Sequence, residues 1–164
     1  MKKIVTLALA AALFMGIGVQ NAAAANSLAQ GSFSLGVDTS SDAILKAKYL
    51  ISSDLAIVGG IGIGILGKDA KGTNISILGG ARKFFKVADF APFAGGAFQY
   101  DSYNDSNNTD ITVYAEGGAE YFLAKQFSVE GAVNFGYKST EVKNGAKTSY
   151  IGTRRAAVGF NFYF

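Results

Sequence analysis

The 164-residue chain carries 15 basic and 12 acidic residues and contains neither His nor Cys. Without those two residue types there is no His general base, no Ser-His or Cys-His dyad, no disulfide and no zinc site built on Cys or His. Lys2 and Lys3 fall in a segment expected to be cleaved, which leaves 13 basic against 12 acidic residues, a balance that argues against nucleic-acid binding.

The N-terminal stretch "MKKIVTLALAAALFMGIGVQNAAAAN" joins a basic start, an apolar run from Ile4 to Val19 and a small-residue patch from Ala22 to Ala25. That order is a secretory signal peptide, expected over residues 1–25. The apolar run of about sixteen residues is shorter than the roughly 20 of a spanning helix. No Cys follows it, so it is not a lipoprotein signal. Residues 26–164 then form one domain.

In that domain the dominant hydropathy period is two, which means strands. Eight segments are predicted: Ser32–Asp38, Ala43–Ser52, Leu55–Leu66, Thr73–Phe85, Phe90–Tyr100, Asp110–Leu123, Phe127–Tyr137 and Ser149–Phe164. Most reach the roughly 9–11 residues of a tilted membrane strand. Connections alternate between tight ("SSD", "KVAD", "AKQ") and long and polar ("GKDAKG", "DSYNDSNNT", "KSTEVKNGAKT"), with "TSS" an exception that is short where the pattern wants length. The expectation is all-β: an eight-stranded antiparallel up-and-down transmembrane β-barrel with both termini at the short-turn end. "GIGILG" matches G-x-G-x-x-G, but a polar loop follows it instead of a helix, so it reads as glycines thinning a strand. "DSYNDSNNTD" places Tyr103 and Ser106 where a calcium loop wants an acidic residue and Gly, so it reads as a solvated loop.

The charges decide which face is enclosed. Lys46, Lys48, Arg82, Glu116, Glu120, Glu130 and Arg155 lie on the polar face of strand interiors, while Lys83 and Arg154 lie on the apolar face near strand ends, where long side chains snorkel. A basic residue facing mid-bilayer lipid costs about 2–4 kcal/mol. Aromatics on the apolar face fall at two heights: Phe33, Tyr49, Phe85, Phe90, Tyr121, Phe127, Phe162 and Phe164 near the short turns, and Phe98, Tyr100, Phe135, Tyr137 and Tyr150 near the long loops. Two girdles around an aliphatic band suit two membrane–water interfaces. The inward charges are expected to form two stacked layers of ion pairs, with Arg82 between Glu120 and Glu130, and Glu116 facing Lys48 or Arg155.

The ending "VGFNFYF" resembles the terminal strand of bacterial outer-membrane proteins. "KYLISSDLAIVGGIGIG", "ARKFFKVADFAPFAGGAFQY" and "AEYFLAKQFSVEGAVNFGY" are similar to strand–turn–strand units of small OmpA-like and OmpX-like barrels. The resemblance implies residence in the outer membrane, a terminal strand with Phe160, Phe162 and Phe164 recognised by the barrel-assembly machinery, and no cofactor. It also implies a structural or surface-interactive role rather than an enzymatic one, since small-barrel enzymes of this kind use a catalytic His. Lys138, Lys143, Lys147 and Arg154 are candidates for contact with anionic lipopolysaccharide. A narrow ion channel gated by the charged lumen is the alternative, and a monomer is expected.

Overall fold

The computed structural model describes residues 28–38, 44–66, 72–85, 87–104, 108–142 and 145–164. The expected signal peptide, residues 1–25, and the "TSS" loop, residues 39–41, lie outside the described residues. The strands are β1 (Phe33–Asp38), β2 (Ile44–Ser52), β3 (Leu55–Leu66), β4 (Gly72–Phe84), β5 (Phe90–Tyr103), β6 (Asn108–Ala124), β7 (Phe127–Glu141) and β8 (Lys147–Tyr163). Each pairs antiparallel with its chain neighbours, and β8 pairs with β1, so the sheet is a closed barrel. The Phe164 N–H donates to the Phe33 carbonyl at 2.8 Å where the ends meet. Following the register from Leu35 through Ala47, Gly59, Gly79, Phe98, Val113 and Tyr137 leads to Ile151, whereas Leu35 itself pairs with Phe162. Allowing for one bulged residue in β8, this stagger of about ten residues belongs with strand tilts of roughly 35–45°.

Alternation along each strand sorts the side chains into two environments. In β2, Ile44, Lys46, Lys48 and Leu50 point inward and are buried, while Leu45, Tyr49 and Ile51 point outward. Lys48 and Arg82 are 1% exposed, whereas Ile61 is 57% and Val113 55% exposed. The hydrophobic effect would not tolerate that inversion in water. It is stable where the outer surface meets hydrocarbon, and closure satisfies every strand's ladder without leaving an edge. Phe33, Tyr49, Phe85, Phe90 and Tyr121 are outward and exposed at the short-turn end, as are Phe98, Tyr100, Phe135 and Tyr137 at the other. Outward-facing Lys83 ion-pairs with Asp54 of the β2–β3 turn. The Lys83 ammonium, and after it the Ser52 hydroxyl at 2.7 Å, hold the Asp54 carboxyl below its ordinary range. What this pair contributes is therefore present above the unfolded carboxylate pKa and is lost as pH falls through the lower folded value.

Two expectations need correcting. The strands run further toward the long loops than the hydropathy pattern indicated: β5 continues to Tyr103, β6 starts at Asn108, β7 reaches Glu141 and β8 starts at Lys147. Much of "DSYNDSNNT" and "KSTEVKNGAKT" is thus paired strand, with Asp101 opposite Asp110 and Glu141 opposite Lys147. Alternating hydropathy reports where the apolar surround ends, and backbone pairing continues beyond it. The second correction lies in β8. A register shift pairs Asn134 with Arg155 but Phe135 with Thr153, so Arg154 is the bulged residue. Above it the parity flips. Ile151 and Thr153 join the outward face, whereas Tyr150, opposite inward-facing Lys138, leaves the aromatic girdle to which it was assigned.

Replacing Ile61 with Lys sets a charge on the middle of the outer face. Equilibrium unfolding in lipid vesicles should show a loss of about 2–4 kcal/mol.

Candidate functional site

The described residues that face the lumen are layered. Read from the short-turn end, β4 presents Phe84, Arg82, Leu78 and Ser76; β6 presents Phe122, Glu120, Glu116, Tyr114, Thr112 and Asp110. An aromatic floor comes first, then an ionic layer, an apolar layer and a polar mouth. In the floor Leu28, Leu50, Phe84, Phe93, Phe122 and Tyr163 cluster together. Leu28 reaches it because the chain turns immediately before β1. Ser32 N–H donates to the Ala29 carbonyl at 3.0 Å, and Gly31, at φ 88°, takes the left-handed conformation that turn requires. Val58, Leu78 and Tyr114 form the upper apolar layer, with Ala97 packed against them.

The ionic layer is one connected cluster. Glu120 and Glu130 are direct cross-strand neighbours on β6 and β7, a like-charge pairing that is unfavourable by itself. Lys48, from the far side of the lumen, reaches both, its Nζ 2.7 Å from Glu120 Oε2 and 3.1 Å from Glu130 Oε2. Arg82 Nη1 lies 2.7 Å from Glu130 Oε2, while its Nε and Nη2 engage the two oxygens of Glu116 side-on. Lys46 Nζ sits 2.5 Å from Asp38 Oδ2 and 3.5 Å from Glu130 Oε1. Glu120 Oε1 accepts from Tyr163 Oη at 2.8 Å, from Asn161 Nδ2 at 3.2 Å and from the Ser128 hydroxyl. The floor rings also face the cations: Arg82 Cζ is 4.3 Å from the Phe93 ring centre and Lys48 Nζ 5.2 Å from that of Tyr163.

Lys46, Lys48, Arg82, Glu116, Glu120 and Glu130 are therefore brought together, but not as two layers. Arg82 takes Glu116 with Glu130, and Glu120 goes to Lys48. The reason is register: Arg82, Gly95 and Glu116 are successive partners on β4, β5 and β6. A Cβ on Gly95 would fall 2.5 Å from the Ala81 carbonyl oxygen, 3.0 Å from Arg82 Cγ and 3.1 Å from Glu116 Oε1. The missing side chain is the gap through which guanidinium and carboxylate meet. Arg155 takes the register position opposite Asn134, itself opposite Glu116; its side chain lies outside the described set, as do those of Arg154 and Lys143. Asp38, Ser128, Asn161, Tyr163 and Gly95 were missed as members. Parity places the first four inward, but no local pattern says how far each reaches.

The lysine candidates for lipopolysaccharide contact already have partners: Lys138 ion-pairs with buried Asp110, and Lys147 Nζ lies 3.2 Å from Glu141 Oε2. Phe160 on β8 and Phe164 just after it face outward. Phe160 stacks on Phe127 with ring centres 6.5 Å apart, and Phe162 meets Phe164 edge-on at 5.1 Å. Among the described residues no group of three or more acidic residues is placed to hold a metal ion.

These features define a small eight-stranded transmembrane barrel of the outer-membrane type. The chain is similar in fold to OprG from Pseudomonas aeruginosa, with a TM-score of 0.56 at 16% identity over 83% of this chain and 97% of that one. Two further likenesses are weaker. The N-terminal barrel domain of Pseudomonas aeruginosa OprF gives 0.48 at 17% identity over 82% of this chain and 98% of that one. Neisserial surface protein A gives 0.48 at 18%, over 81% and 94%. No protein-family model matches the chain, and no curated protein does.

Breaking the cluster on one side should be costly. Arg82→Ala leaves Glu116 and Glu130 buried without their shared cation and should lower stability by about 3–5 kcal/mol in urea unfolding from vesicles. The double change Arg82→Leu with Glu116→Leu should recover part of that loss. Gly95→Val should also destabilise the barrel, because its side chain occupies the gap between those two residues.

Proposed function

We propose that the protein is an integral protein of the bacterial outer membrane with a structural or surface-interactive role, its lumen closed to ions. The observation that carries this reading is the sequence of layers inside the barrel. A buried, mutually paired ionic cluster lies between an aromatic floor and an apolar layer. An ion crossing it would have to displace charge-assisted hydrogen bonds that the low-dielectric interior makes strong. The closed ladder leaves no strand edge for another chain to pair with, which suits a monomer.

The surface available for interaction is at the long-loop end. The β5–β6 and β7–β8 hairpins carry polar strand beyond the aromatic band, and Glu141, Lys147 and Tyr150 are exposed there. With the short turns and both termini of the barrel strands facing the periplasm, these hairpins would meet lipopolysaccharide, host molecules or other cells. Among the described side chains, Lys147 and, where it exchanges its partner Asp110, Lys138 are basic groups available to anionic headgroups. The alternating outward aromatics of β8 fit recognition by the barrel-assembly machinery during insertion. No catalytic role forms part of this reading.

Planar-bilayer recording on purified, refolded protein tests the closed lumen against the narrow channel. The expected result is a silent membrane for the native chain. Reproducible conductance steps that disappear or change size in Arg82→Ala would replace this reading with a gated channel.

A further inference from the structure

The polar mouth of the lumen has a feature that the envelope role does not require. Asp101 of β5 and Asp110 of β6 are direct cross-strand partners, both inward-facing and both 3% exposed. Two carboxylates directly opposite one another repel. The ion pair described for this place is that of Lys138 with Asp110. Asp101 Oδ1 accepts from Ser76 Oγ at 2.5 Å and from Gln99 Nε2 at 2.8 Å. Asp110 Oδ1 accepts from Thr140 at 2.6 Å, and Tyr103 also hydrogen-bonds to this carboxylate.

A second observation points to a ligand. Asn74 is 5% exposed, and its Oδ1 is buried with no hydrogen-bond partner. It stands on the inner face of β4 two residues above Ser76, the register partner of Asp101. Asn108 Oδ1, two residues above Asp110 on β6, is likewise buried and unpartnered. A buried amide oxygen without a donor is destabilising, and the register sets these two on either side of Tyr103, one inward row beyond the two carboxylates. The Lys138 ammonium and the Gln99 amide nitrogen share this place with the carboxylates, and the two amide oxygens are the groups left without a donor.

We propose that the long-loop mouth of the lumen is a calcium site, with Asp101 and Asp110 as its charged ligands and Asn74 and Asn108 as its carbonyl ligands. Calcium takes 6–8 oxygens in flexible geometry, carboxylate and amide carbonyl among them, whereas magnesium demands a near-ideal octahedron and dehydrates reluctantly. Four protein oxygens of modest charge leave room for water and set the affinity at about 10⁻⁴–10⁻³ M, the range of extracellular modules. The Lys138 ammonium occupies Asp110 in the ion-free state, so calcium binds by exchange with it. Binding would tie β4, β5 and β6 together at their outer ends.

The test is calorimetric titration of the folded, detergent-solubilised chain with calcium chloride, using magnesium chloride as the comparison salt and heat-modifiable gel mobility as the check on folding. Calcium uptake in the stated range, at least tenfold weaker in Asp101→Asn with Asp110→Asn, is the expected result. Lys138→Gln removes the competing ammonium and should tighten calcium binding several-fold. Asn74→Leu, which leaves every charge in place, should weaken it several-fold and serves if the double variant does not fold. No uptake up to about 10 mM calcium, equal affinity for magnesium, or affinity unchanged in Lys138→Gln or Asn74→Leu would each overturn the site. These outcomes do not depend on whether the lumen conducts, so they fail separately from the envelope role.

Discussion

The adjacency of Glu120 and Glu130 is the constraint on which the interior is built. Two carboxylates facing each other across a ladder, enclosed where water cannot screen them, repel unless cations are delivered to both. Lys46 and Lys48 arrive from β2 and Arg82 from β4, across the lumen from β6 and β7. The cluster therefore ties the early strands to the late ones across the barrel axis, which the hydrogen-bonded ladder does only at the β1–β8 seam. Interior ion pairs of this kind add little net stability compared with a well-packed apolar filling. Their value lies in specifying one register: a slip of one residue in β2 would turn Lys46 and Lys48 toward the lipid.

The outside obeys the opposite requirement. With hydrocarbon as solvent, exposing Ile61 or Val113 costs nothing, and the outward face has only to avoid charge and unpaired backbone groups. Outward-facing Lys83 sits at a strand end beside a turn carboxylate. Such a shell constrains its residues loosely, so most of the information that selects this structure lies inside. The aromatic floor shows how finely. Phe93 and Tyr163 are at once the apolar plug and the ring faces over which Arg82 and Lys48 lie.

Glycine and the bulge govern the details that alternation does not. Gly95 has no side chain because two others must meet across it. The extra residue at Arg154 changes which side chains of β8 see lipid, and it exchanges Tyr150 for Ile151 at the upper interface. Beyond the membrane band the polar strands of β5 to β8 continue as paired hairpins, which sets Asp101 directly opposite Asp110. The chain segment there reads as a solvated loop when taken in isolation, because its donors come from the wrong positions for a single-loop calcium motif.

Hydropathy of period two, a charge-free stripe with two aromatic heights and the alternation of tight and long connections determined the fold class, the strand count and which side is enclosed. The reason is that lipid on one side and a closed interior on the other impose a rule on every second residue, and such a rule is visible in one dimension. The sequence also marked six of the cluster's charged residues as inward. Which of them pair was decided only by tertiary structure. Tilt and stagger place strands at heights that counting from the turns misjudges, so Glu116 meets Arg82 through the gap at Gly95, and Glu120 meets Lys48 from across the lumen. Contacts between residues 34, 48, 72 or 82 positions apart are set by how the sheet closes, and no local pattern encodes that closure.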